Sequence, residues 1–297
     1  MSGYIKGIDV SEHNGVIDWE KVKASGIGFA MIRGGYGQTL DKQFKRNASE
    51  CNRLGIPCGI YWFSYALNAV GAAREATACL DAIRPYKIDY PVAFDLEYDS
   101  VNYAQKKGVY IGTGLASDMA RAFLHAIRAA GYSAMNYTNQ DYLNRYFDAQ
   151  VKAEFPVWLA QWPNGTPSLD KPPRMCAIWQ YSEKGSVPGI KGPVDLDVCY
   201  ETYPKGEKEL KNVSKEELRT LIRETVREIL DEENPVYKDL KDVPEYWKPA
   251  ASALLAAGAV NGGTPEAVCA TDLNLRRETL KAVVVAAMYH DAREGKR

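Results

Sequence analysis

The sequence predicts an α/β fold: a small TIM-like (β/α) barrel with few late helices, followed by a small α-helical module at the C-terminus. Short apolar runs alternate with helix-like segments over residues 4–200. This alternation is typical of a parallel sheet with helices packed outside it. Eight strand-like runs suffice to close such a sheet into a barrel. An open doubly wound sheet is the alternative, but neither GxGxxG nor GxxxxGK[ST] follows a strand, which weakens its nucleotide-binding versions.

The strand-like runs are short and apolar. In chain order they are YIKGID, IGFAMIR, PCGIYWFSY, YPVAFDLE, SAMNYT, FPVWLAQW, MCAIWQYS and GPVDLDVCY. Helix-like segments follow the first five strands, and they are DWEKVKAS, KQFKRNASECNRLG, AVGAAREATACLDAIRP, ASDMARAFLHAIRAAG and a short segment after SAMNYT. Little helix is predicted between the last three strands, so the late connections are thin.

Composition narrows the classes of partner. The 297 residues are 46% hydrophobic and 25% charged, and the formal net charge is -1. A chain without a basic excess is not expected to bind nucleic acid or an anionic membrane. No apolar run approaches the roughly 20 residues that a membrane span needs. The stretch MSGYIKGIDVSEH lacks the apolar region of a conventional signal peptide, so we expect synthesis in the cytoplasm.

Cysteine and histidine usage argues against a metal centre. The six cysteines are Cys51, Cys58, Cys79, Cys176, Cys199 and Cys269. They form no CxxC pair, which favours reduced and mostly buried thiols over a disulfide framework or a zinc site. The three histidines lie far apart in sequence, which disfavours a His-based metal site or a Ser-His-Asp triad. We therefore expect no metal and no cofactor.

Acidic residues stand at the ends of three predicted strands. Asp95 and Glu97 are two residues apart at the end of the fourth strand, so strand alternation places them on one face. Asp9 ends the first strand, and Asp195 and Asp197 share a face of the last. The first and last strands of a barrel are neighbours. These acids are therefore predicted to gather at the mouth, where barrel active sites lie.

Such a cluster has three plausible readings. Hard divalent cations prefer oxygen ligands, paired carboxylates catalyse glycoside hydrolysis, and single acids at strand ends are often ordinary surface groups. Acids on three separate strands favour a site over the surface reading. Crowding raises the pKa of at least one member, which then holds the proton that a general acid needs. Many aromatics and few basic residues favour a neutral sugar polymer, since Arg33 alone is not a phosphate clamp.

At these residues the sequence resembles glycoside hydrolase family 25, the Chalaropsis-type lysozymes. The matching stretches are GIDVSEHNGVIDWEKVK, FAMIRGGYG, GIYWFSYA, PVAFDLE, VWLAQW and IWQYSEKGSVPGIKGPVDLDVCY. They follow the order of the family and span about residues 4–201. The resemblance implies an eight-stranded barrel with fewer outer helices than usual. It also implies hydrolysis, with retention, of the β-1,4 bond between N-acetylmuramic acid and N-acetylglucosamine in peptidoglycan.

The resemblance also implies roles for the acids. By motif match, Glu97 is the general acid that protonates the leaving oxygen, and Asp95 orients or stabilises the N-acetyl group or the charge that develops beside it. Asp9 and Asp195 match the remaining family acids and are expected to tune pKa values and bind substrate. Asp197 stands where many relatives have Asn, so it either supports the other acids or contacts substrate. Whether the nucleophile comes from the protein or from the substrate's acetamide stays open.

Four further residues are candidates for binding the sugar. Tyr61 matches an aromatic residue that lines the family's groove, and Tyr137 and Trp158 at strand ends either stack on sugar or belong to the core. Arg33 begins the segment RGGYG, where many relatives have Lys-Ala-Thr-Glu-Gly. The role of that Glu is lost or moved here, which affects substrate preference more than the reaction.

The C-terminal region differs in composition from the barrel. After a catalytic barrel at 1–203, we predict a linker at 204–213, an amphipathic helix at 214–233 and a helical module at 234–297. The module resembles one S-layer homology unit, with Arg276 and Glu278 at the Arg and Glu positions of its helix. Such units commonly act as three copies that bind secondary cell-wall polymers. A single copy indicates either association of chains through 214–297 or a relic or spacer.

These observations predict a peptidoglycan muramidase with a C-terminal wall-binding or oligomerisation module. Release without a visible signal peptide would resemble that of a phage endolysin, or the enzyme leaves a bacterium by another route. A non-catalytic sugar-binding protein on a degenerate barrel is the first alternative, against which the intact acids argue. A metal-dependent hydrolase that uses the same acids is the second, against which the dispersed histidines count mildly.

Overall fold

The structure is a computed structural model that describes residues 3–203, 236–243, 248, 251–252 and 272–276. The chain divides into two compact units, Met1–Val226 and Arg227–Arg297. The division falls within the predicted helix 214–233, which lies outside the described residues. Among the described residues, no helix has the length and apolar character needed to cross a membrane.

The first unit is a closed barrel of eight strands with one additional short strand. The strands are β1 (Ile5–Val10), β2 (Phe29–Tyr36), β3 (Thr39–Leu40), β4 (Cys58–Phe63), β5 (Val92–Asp95), β6 (Ala134–Asn139), β7 (Val157–Ala160), β8 (Ile178–Gly185) and β9 (Val194–Cys199). Their order in the sheet is β1-β9-β8-β7-β6-β5-β4-β2-β3, and pairing of β1 with β2 closes the barrel. The predicted eight-stranded barrel is confirmed, and β3 adds an unpredicted hairpin at the end of β2.

One strand runs against the direction expected for a parallel barrel. The six strands from β2 to β8, leaving out β3, pair in parallel, but β9 is antiparallel to both β8 and β1. The direction of β9 has a local cause, because only the short segment 186–193 separates it from β8. A connection of this length reverses the chain, whereas a parallel return needs a crossover of a dozen residues or more. The start of β9 therefore lies at the mouth.

Helices cover the barrel mainly in its first two thirds. They are α1 (Trp19–Ala24), α2 (Phe44–Leu54), α3 (Ala69–Ile83), α4 (Tyr98–Lys106), α5 (Thr113–Ala129), α6 (Gln140–Arg145) and α7 (Ala149–Glu154). Helix α4 is absent from the sequence prediction because only Ser100 and Ala104 on it are buried, which gives no apolar stripe. The scarcity of helix after β7 agrees with the prediction of few late helices.

The barrel interior is filled by side chains at alternate strand positions. The buried cluster there consists of Phe29, Met31, Tyr90, Ala93, Met135, Tyr137, Trp158, Ala177, Ile178 and Cys199. Two glycines make room for it, since a Cβ at Gly7 would lie 2.2 Å from the Phe29 ring and one at Gly59 would lie 2.6 Å from the Met31 sulfur. This alternation fixes which side chains face inward at the mouth end of each strand.

The second unit contains a two-stranded antiparallel sheet, formed by β10 (Val236–Asp239) and β11 (Asp272–Arg276). Neither strand was predicted, because both lie in the region that the sequence assigned to a helical module. Arg276, predicted to lie in a helix of the S-layer-homology-like unit, is in β11. Most of that unit, including Glu278, lies outside the described residues.

The five cysteines of the described barrel are free thiols, and all except Cys176 are buried.

Candidate active site

The acids predicted to share the mouth do lie together. Continuing the inward-facing alternation of the core places Asp9 after Gly7 on β1 and Asp95 after Ala93 on β5. On β9 the inward positions include Asp195 and Asp197. In the sheet Asp9 is paired directly with Asp195 and Gly7 with Asp197, so three acids of two neighbouring strands are adjacent.

Asp9 and Asp197 form the more deeply buried acid pair. Burial raises the pKa of Asp9 well above its ordinary value, and the negative charges of Asp197 and Asp195 raise it further. Burial likewise raises the pKa of Asp197 to about 8. The two carboxyl groups contact each other, which two ionised groups would not do without a proton between them. Around neutral pH this pair therefore holds at least one proton.

Asp95 and Glu97 form the second pair. Strand β5 ends at Asp95, and Glu97 begins helix α4 as its N-cap, with extended backbone (φ -126°, ψ -175°). The prediction of one continuous strand through Glu97 is thus wrong, but the extended backbone still brings the two carboxyl groups into contact. The Glu97 N–H donates to Ser100 Oγ (3.1 Å), which fixes the backbone at the start of α4.

The pKa values of this pair are raised as well. Burial raises the pKa of Asp95 well above its ordinary value, the charge of Glu97 adds to this, and the Arg33 guanidinium opposes it. Burial also raises the pKa of Glu97, followed by the charges of Asp195 and Asp99. Asp95 is fully enclosed, whereas Glu97 keeps part of its surface open. Glu97 is therefore the member of the pair that a ligand can reach with its proton in place.

Asp195 lies between the two pairs at the start of β9. It is half-buried, and burial together with the charge of Glu183 raises its pKa to about 6. Its charge in turn raises the pKa values of Asp9 and Glu97. Asp195 thus provides negative charge at the mouth at neutral pH and favours the protonated forms of its neighbours.

Gln180 on β8 connects several of these groups and is absent from the sequence prediction. Its Nε2 donates to Asp9 Oδ2 (2.8 Å), and its Oε1 accepts from the Tyr137 hydroxyl (3.2 Å) and from Trp162 Nε1 (3.2 Å). It is almost completely buried. The available signal in the sequence was an uncharged polar residue inside the apolar strand IWQYS, which is costly to bury without partners.

Two predicted sugar contacts lie below the surface instead. Trp158 is 1% exposed, packs edge-on against Tyr137 with ring centroids 4.6 Å apart, and donates from Nε1 to Asp197 Oδ1 (2.8 Å). Trp158 was predicted either to stack on sugar or to belong to the core, and the structure places it in the core. No ring face is left for a sugar. Asp197 is 0% exposed, so of its two predicted roles the support of other acids fits, and direct substrate contact does not.

The two tyrosines lie closer to the opening. Tyr61 on β4 is half-buried and meets Trp158 edge-on, with centroids 5.8 Å apart. The Tyr137 hydroxyl is a hydrogen-bond partner of Glu97 as well as of Gln180, and its bond to Glu97 lowers the pKa of that acid. Tyr137 thus contacts the acid directly, while Tyr61 lines the wall below the mouth.

Arg33 is held by two acids rather than being free for a ligand. Its Nε donates to Asp41 Oδ2 (2.8 Å) and its Nη2 to Glu12 Oε1 (3.2 Å). Asp41 is buried and also accepts the N–H of Glu12 (3.0 Å), so the carboxylate of this ion pair is shielded from solvent. The guanidinium is the positive charge that opposes the raised pKa of Asp95. This geometry gives Arg33 an electrostatic part in the site and does not expose it as a substrate clamp.

A closed barrel whose mouth holds paired carboxylates beside aromatic side chains is the arrangement found in glycoside hydrolases. The family model of glycosyl hydrolases family 25 matches residues 8–190, and the chain belongs to this family.

Two lysozymes are among the relatives of this chain. The chain is 28% identical over 196 residues to the autolytic lysozyme of Clostridium acetobutylicum, covering 65% of this chain and 55% of that protein. It is 27% identical over 203 residues to lysozyme M1 of Streptomyces globisporus, covering 64% and 66%. The chain thus spans about half the length of the Clostridium relative.

Solved structures show the same barrel. The modular autolysin LytC of Streptococcus pneumoniae, solved in complex with a synthetic peptidoglycan ligand, matches with a TM-score of 0.57 at 29% identity, over 66% of this chain and 46% of LytC. A family 25 glycosyl hydrolase from Bacillus anthracis matches with a TM-score of 0.53 at 23% identity, over 71% and 94%. The second likeness concerns the fold alone.

Proposed function

We propose that the protein is a peptidoglycan hydrolase, an N-acetylmuramidase that cleaves the β-1,4 bond between N-acetylmuramic acid and N-acetylglucosamine with retention. One observation carries the proposal: Glu97 is partly open at the mouth, has a raised pKa and contacts the enclosed Asp95. A reachable carboxyl group whose pKa is raised by burial keeps its proton to higher pH than an ordinary Glu and is suited to protonate a leaving oxygen. The lysozymes and the peptidoglycan-bound autolysin among the relatives support this substrate.

In this mechanism the acids divide the work. Glu97 donates its proton to the glycosidic oxygen as the bond to the sugar breaks, and positive charge develops at the ring. Asp95 orients the substrate's N-acetyl group or stabilises the charge beside it. Asp195 adds negative charge at the mouth, while Asp9, which is buried deeper in the barrel, tunes the pKa values of the other acids. The attacking group is either a carboxylate of this site or the acetamide oxygen of the substrate.

The test is cleavage of purified Gram-positive walls by the wild-type protein and Glu97→Gln, with and without a chelator. We expect new reducing ends at muramic acid, no effect of the chelator, and loss of activity in Glu97→Gln by roughly two orders of magnitude or more. Glu201→Gln is the matched control, since Glu201 is exposed and outside the acid cluster. Undiminished cleavage by Glu97→Gln would refute the assignment of the acid.

The alternative function is a non-catalytic sugar-binding protein on the same barrel. It predicts that the wild-type protein sediments with walls but releases no reducing ends, and that Glu97→Gln binds as well as the wild type. A metal-dependent hydrolase predicts instead that the chelator abolishes cleavage. The raised pKa of Glu97 favours acid catalysis over simple binding, because binding a neutral sugar does not require a retained proton.

We further propose that the enzyme acts on the bacterial wall after endolysin-like or other release. The module 234–297 would then bind a secondary cell-wall polymer, or residues 214–297 would associate with a second copy. The mass of the full chain in solution, measured over a wide concentration range, distinguishes the last two roles. A monomer at every concentration contradicts association, and equal sedimentation with intact and polymer-stripped walls contradicts binding of the polymer.

A further inference from the structure

A groove with a volume of about 1520 Å³ opens beside the acid cluster. It is lined by three segments that follow β2, β4 and β5, namely 36–39, 65–75 and 99–106, and we call it the side groove. The middle segment is attached to the acid site, because the N–H of Ser64 donates a 2.8 Å hydrogen bond to the carbonyl oxygen of Asp95. The last segment begins two residues after Glu97. The side groove therefore starts where the acid cluster ends.

Tyrosine rings form the wall of the side groove. The ring of Tyr65 meets that of Tyr36 edge-on with centroids 6.5 Å apart, and that of Tyr103 with centroids 5.0 Å apart. Tyr103 is 36% exposed, and the other two are half-buried. These rings present apolar surface to a ligand while their hydroxyl groups remain able to hydrogen-bond.

A buried carboxyl group holds this wall in place. Glu75 on α3 is 2% exposed, and its Oε1 accepts the N–H of Tyr65 (2.8 Å) while its Oε2 accepts the hydroxyl of Ser64 (2.7 Å). Ser64 and Tyr65 are thereby fixed to helix α3 at the point where β4 ends. The side groove thus has a preformed wall, as expected of a binding site.

Charged side chains of both signs surround the side groove. Asp99, Tyr103 and Lys106 follow one another at helical spacing on one face of α4, and Arg74 projects from α3. Asp99, Lys106 and Arg74 are exposed, and within the described residues none of the three forms a salt bridge. Their charges are therefore available to a ligand that carries both carboxylate and ammonium groups.

We infer that the side groove binds the stem peptide that is attached to the muramic acid beside the scissile bond. This inference rests on the proposed muramidase function. A peptide-free glycan keeps only the lactyl carboxylate next to each muramic acid ring, and it has no ammonium group to match Asp99. A stem peptide has carboxylates for the two cations and, in its diamino acid, an ammonium group for Asp99. Its aliphatic side chains pack on the tyrosine wall.

The experiment compares two substrates, wall glycan that carries its stem peptides and the same glycan after an amidase has removed them. The full-length variant Arg74→Ala/Lys106→Ala loses both cations at exposed positions, where such changes rarely affect folding. For the peptide-bearing glycan we expect KM to rise about fivefold or more with kcat nearly unchanged, because two exposed ion pairs are lost. KM for the peptide-free glycan should stay the same.

Two control variants complete the design. Arg74→Lys/Lys106→Arg keeps the charges and should behave as the wild type, and Lys45→Ala/Lys152→Ala removes two exposed charges from other helices. An equal KM change on both substrates would show that the groove binds sugar, and no change on either would show that it binds neither; both results overturn the inference. If the wild type cleaves neither substrate, the muramidase proposal itself fails, so the two failures are distinguishable.

Discussion

Gln180 Nε2 donates a 2.8 Å hydrogen bond to Oδ2 of Asp9, although the two residues are 171 positions apart in the chain. They lie on β8 and β1, which are separated in the barrel only by β9. The same amide accepts from the hydroxyl of Tyr137, which also contacts Glu97. One uncharged side chain therefore links the deep acid pair to the proposed proton donor, and it lowers the pKa of Asp9 against the effect of burial.

Replacing Gln180 tests this link. In Gln180→Leu, Asp9 loses its donor and its pKa rises further, while Tyr137 loses its acceptor. We expect kcat to fall about tenfold or more and the free energy of unfolding to fall by about 1 to 3 kcal/mol, because buried polar groups are left unsatisfied. Turnover on wall suspensions and urea unfolding measure the two effects. Gln161→Leu, at an exposed position, is the control, and unchanged turnover in Gln180→Leu would contradict the assigned link.

Asp197→Asn tests the buried charge below the site. Burial raises the pKa of Asp197 to about 8 from an ordinary value of 3.8, so the stability that its protonated form provides is fully present below pH 3.8 and is lost progressively as pH rises from 3.8 to 8. Asn keeps an acceptor for Trp158 and cannot ionise. We expect the variant to unfold like the wild type below pH 3.8, where the carboxyl group is protonated in both the folded and the unfolded chain, and to be more stable by more than about 1 kcal/mol at pH 8 and above. Urea unfolding at both pH values decides the matter, and a variant that is less stable at high pH would be contrary to the argument.

Arg33 is predicted to act on Asp95 by its charge. Arg33→Gln removes the charge that opposes the raised pKa of Asp95, so that pKa rises. If ionised Asp95 is needed in catalysis, the acid limb of the pH–rate profile moves to higher pH. The same change leaves buried Asp41 without its partner, and we expect a loss of about 3 kcal/mol in unfolding free energy. Arg33→Lys retains the charge and should keep the profile near that of the wild type. A profile that shifts equally in both variants would assign the effect to geometry rather than charge.

Glu75 gives a separate pH dependence to the side groove. Burial raises its pKa from 4.5 to about 7, so its contribution to stability is fully present below pH 4.5 and is lost as pH rises through 7. Glu75→Gln removes this dependence. Between acid and neutral pH the wild type should lose free energy of unfolding that Glu75→Gln does not lose. We therefore expect the variant to gain up to about 3 kcal/mol relative to the wild type over this range.

The control for this experiment is Glu50→Gln, an acid at the surface of α2 that pairs with Arg53. Glu50→Gln should not gain stability relative to the wild type between acid and neutral pH. The reason is that Arg53 lowers the pKa of Glu50, whereas burial raises that of Glu75. A Glu75→Gln variant whose stability difference is the same at every pH would show that Glu75 titrates in its ordinary range.

The sequence was sufficient to predict the eight barrel strands and the helices α1, α2, α3 and α5, because each has a clear apolar period. It did not reveal α4, whose residues are mostly exposed, or β3, which has only two residues. It also did not reveal the direction of β9. Strand periodicity is the same in either direction, and only the pairing with β8 and β1 decides the orientation.

The same division applies to the site. The positions of Asp9, Asp95 and Asp195 followed from the sequence, because alternation on a strand fixes which face each side chain occupies. Glu97 lies beyond the end of β5 and contacts Asp95 through the extended backbone of the N-cap of α4. Only the tertiary structure decided which of them remains open to a ligand and which is enclosed. Burial depends on strands that are distant in sequence, as in the contact of Trp158 with Asp197, and this contact leaves Asp197 no exposed surface. Gln180 and the side groove depend on such neighbours as well, so their chemistry appears only when the barrel closes.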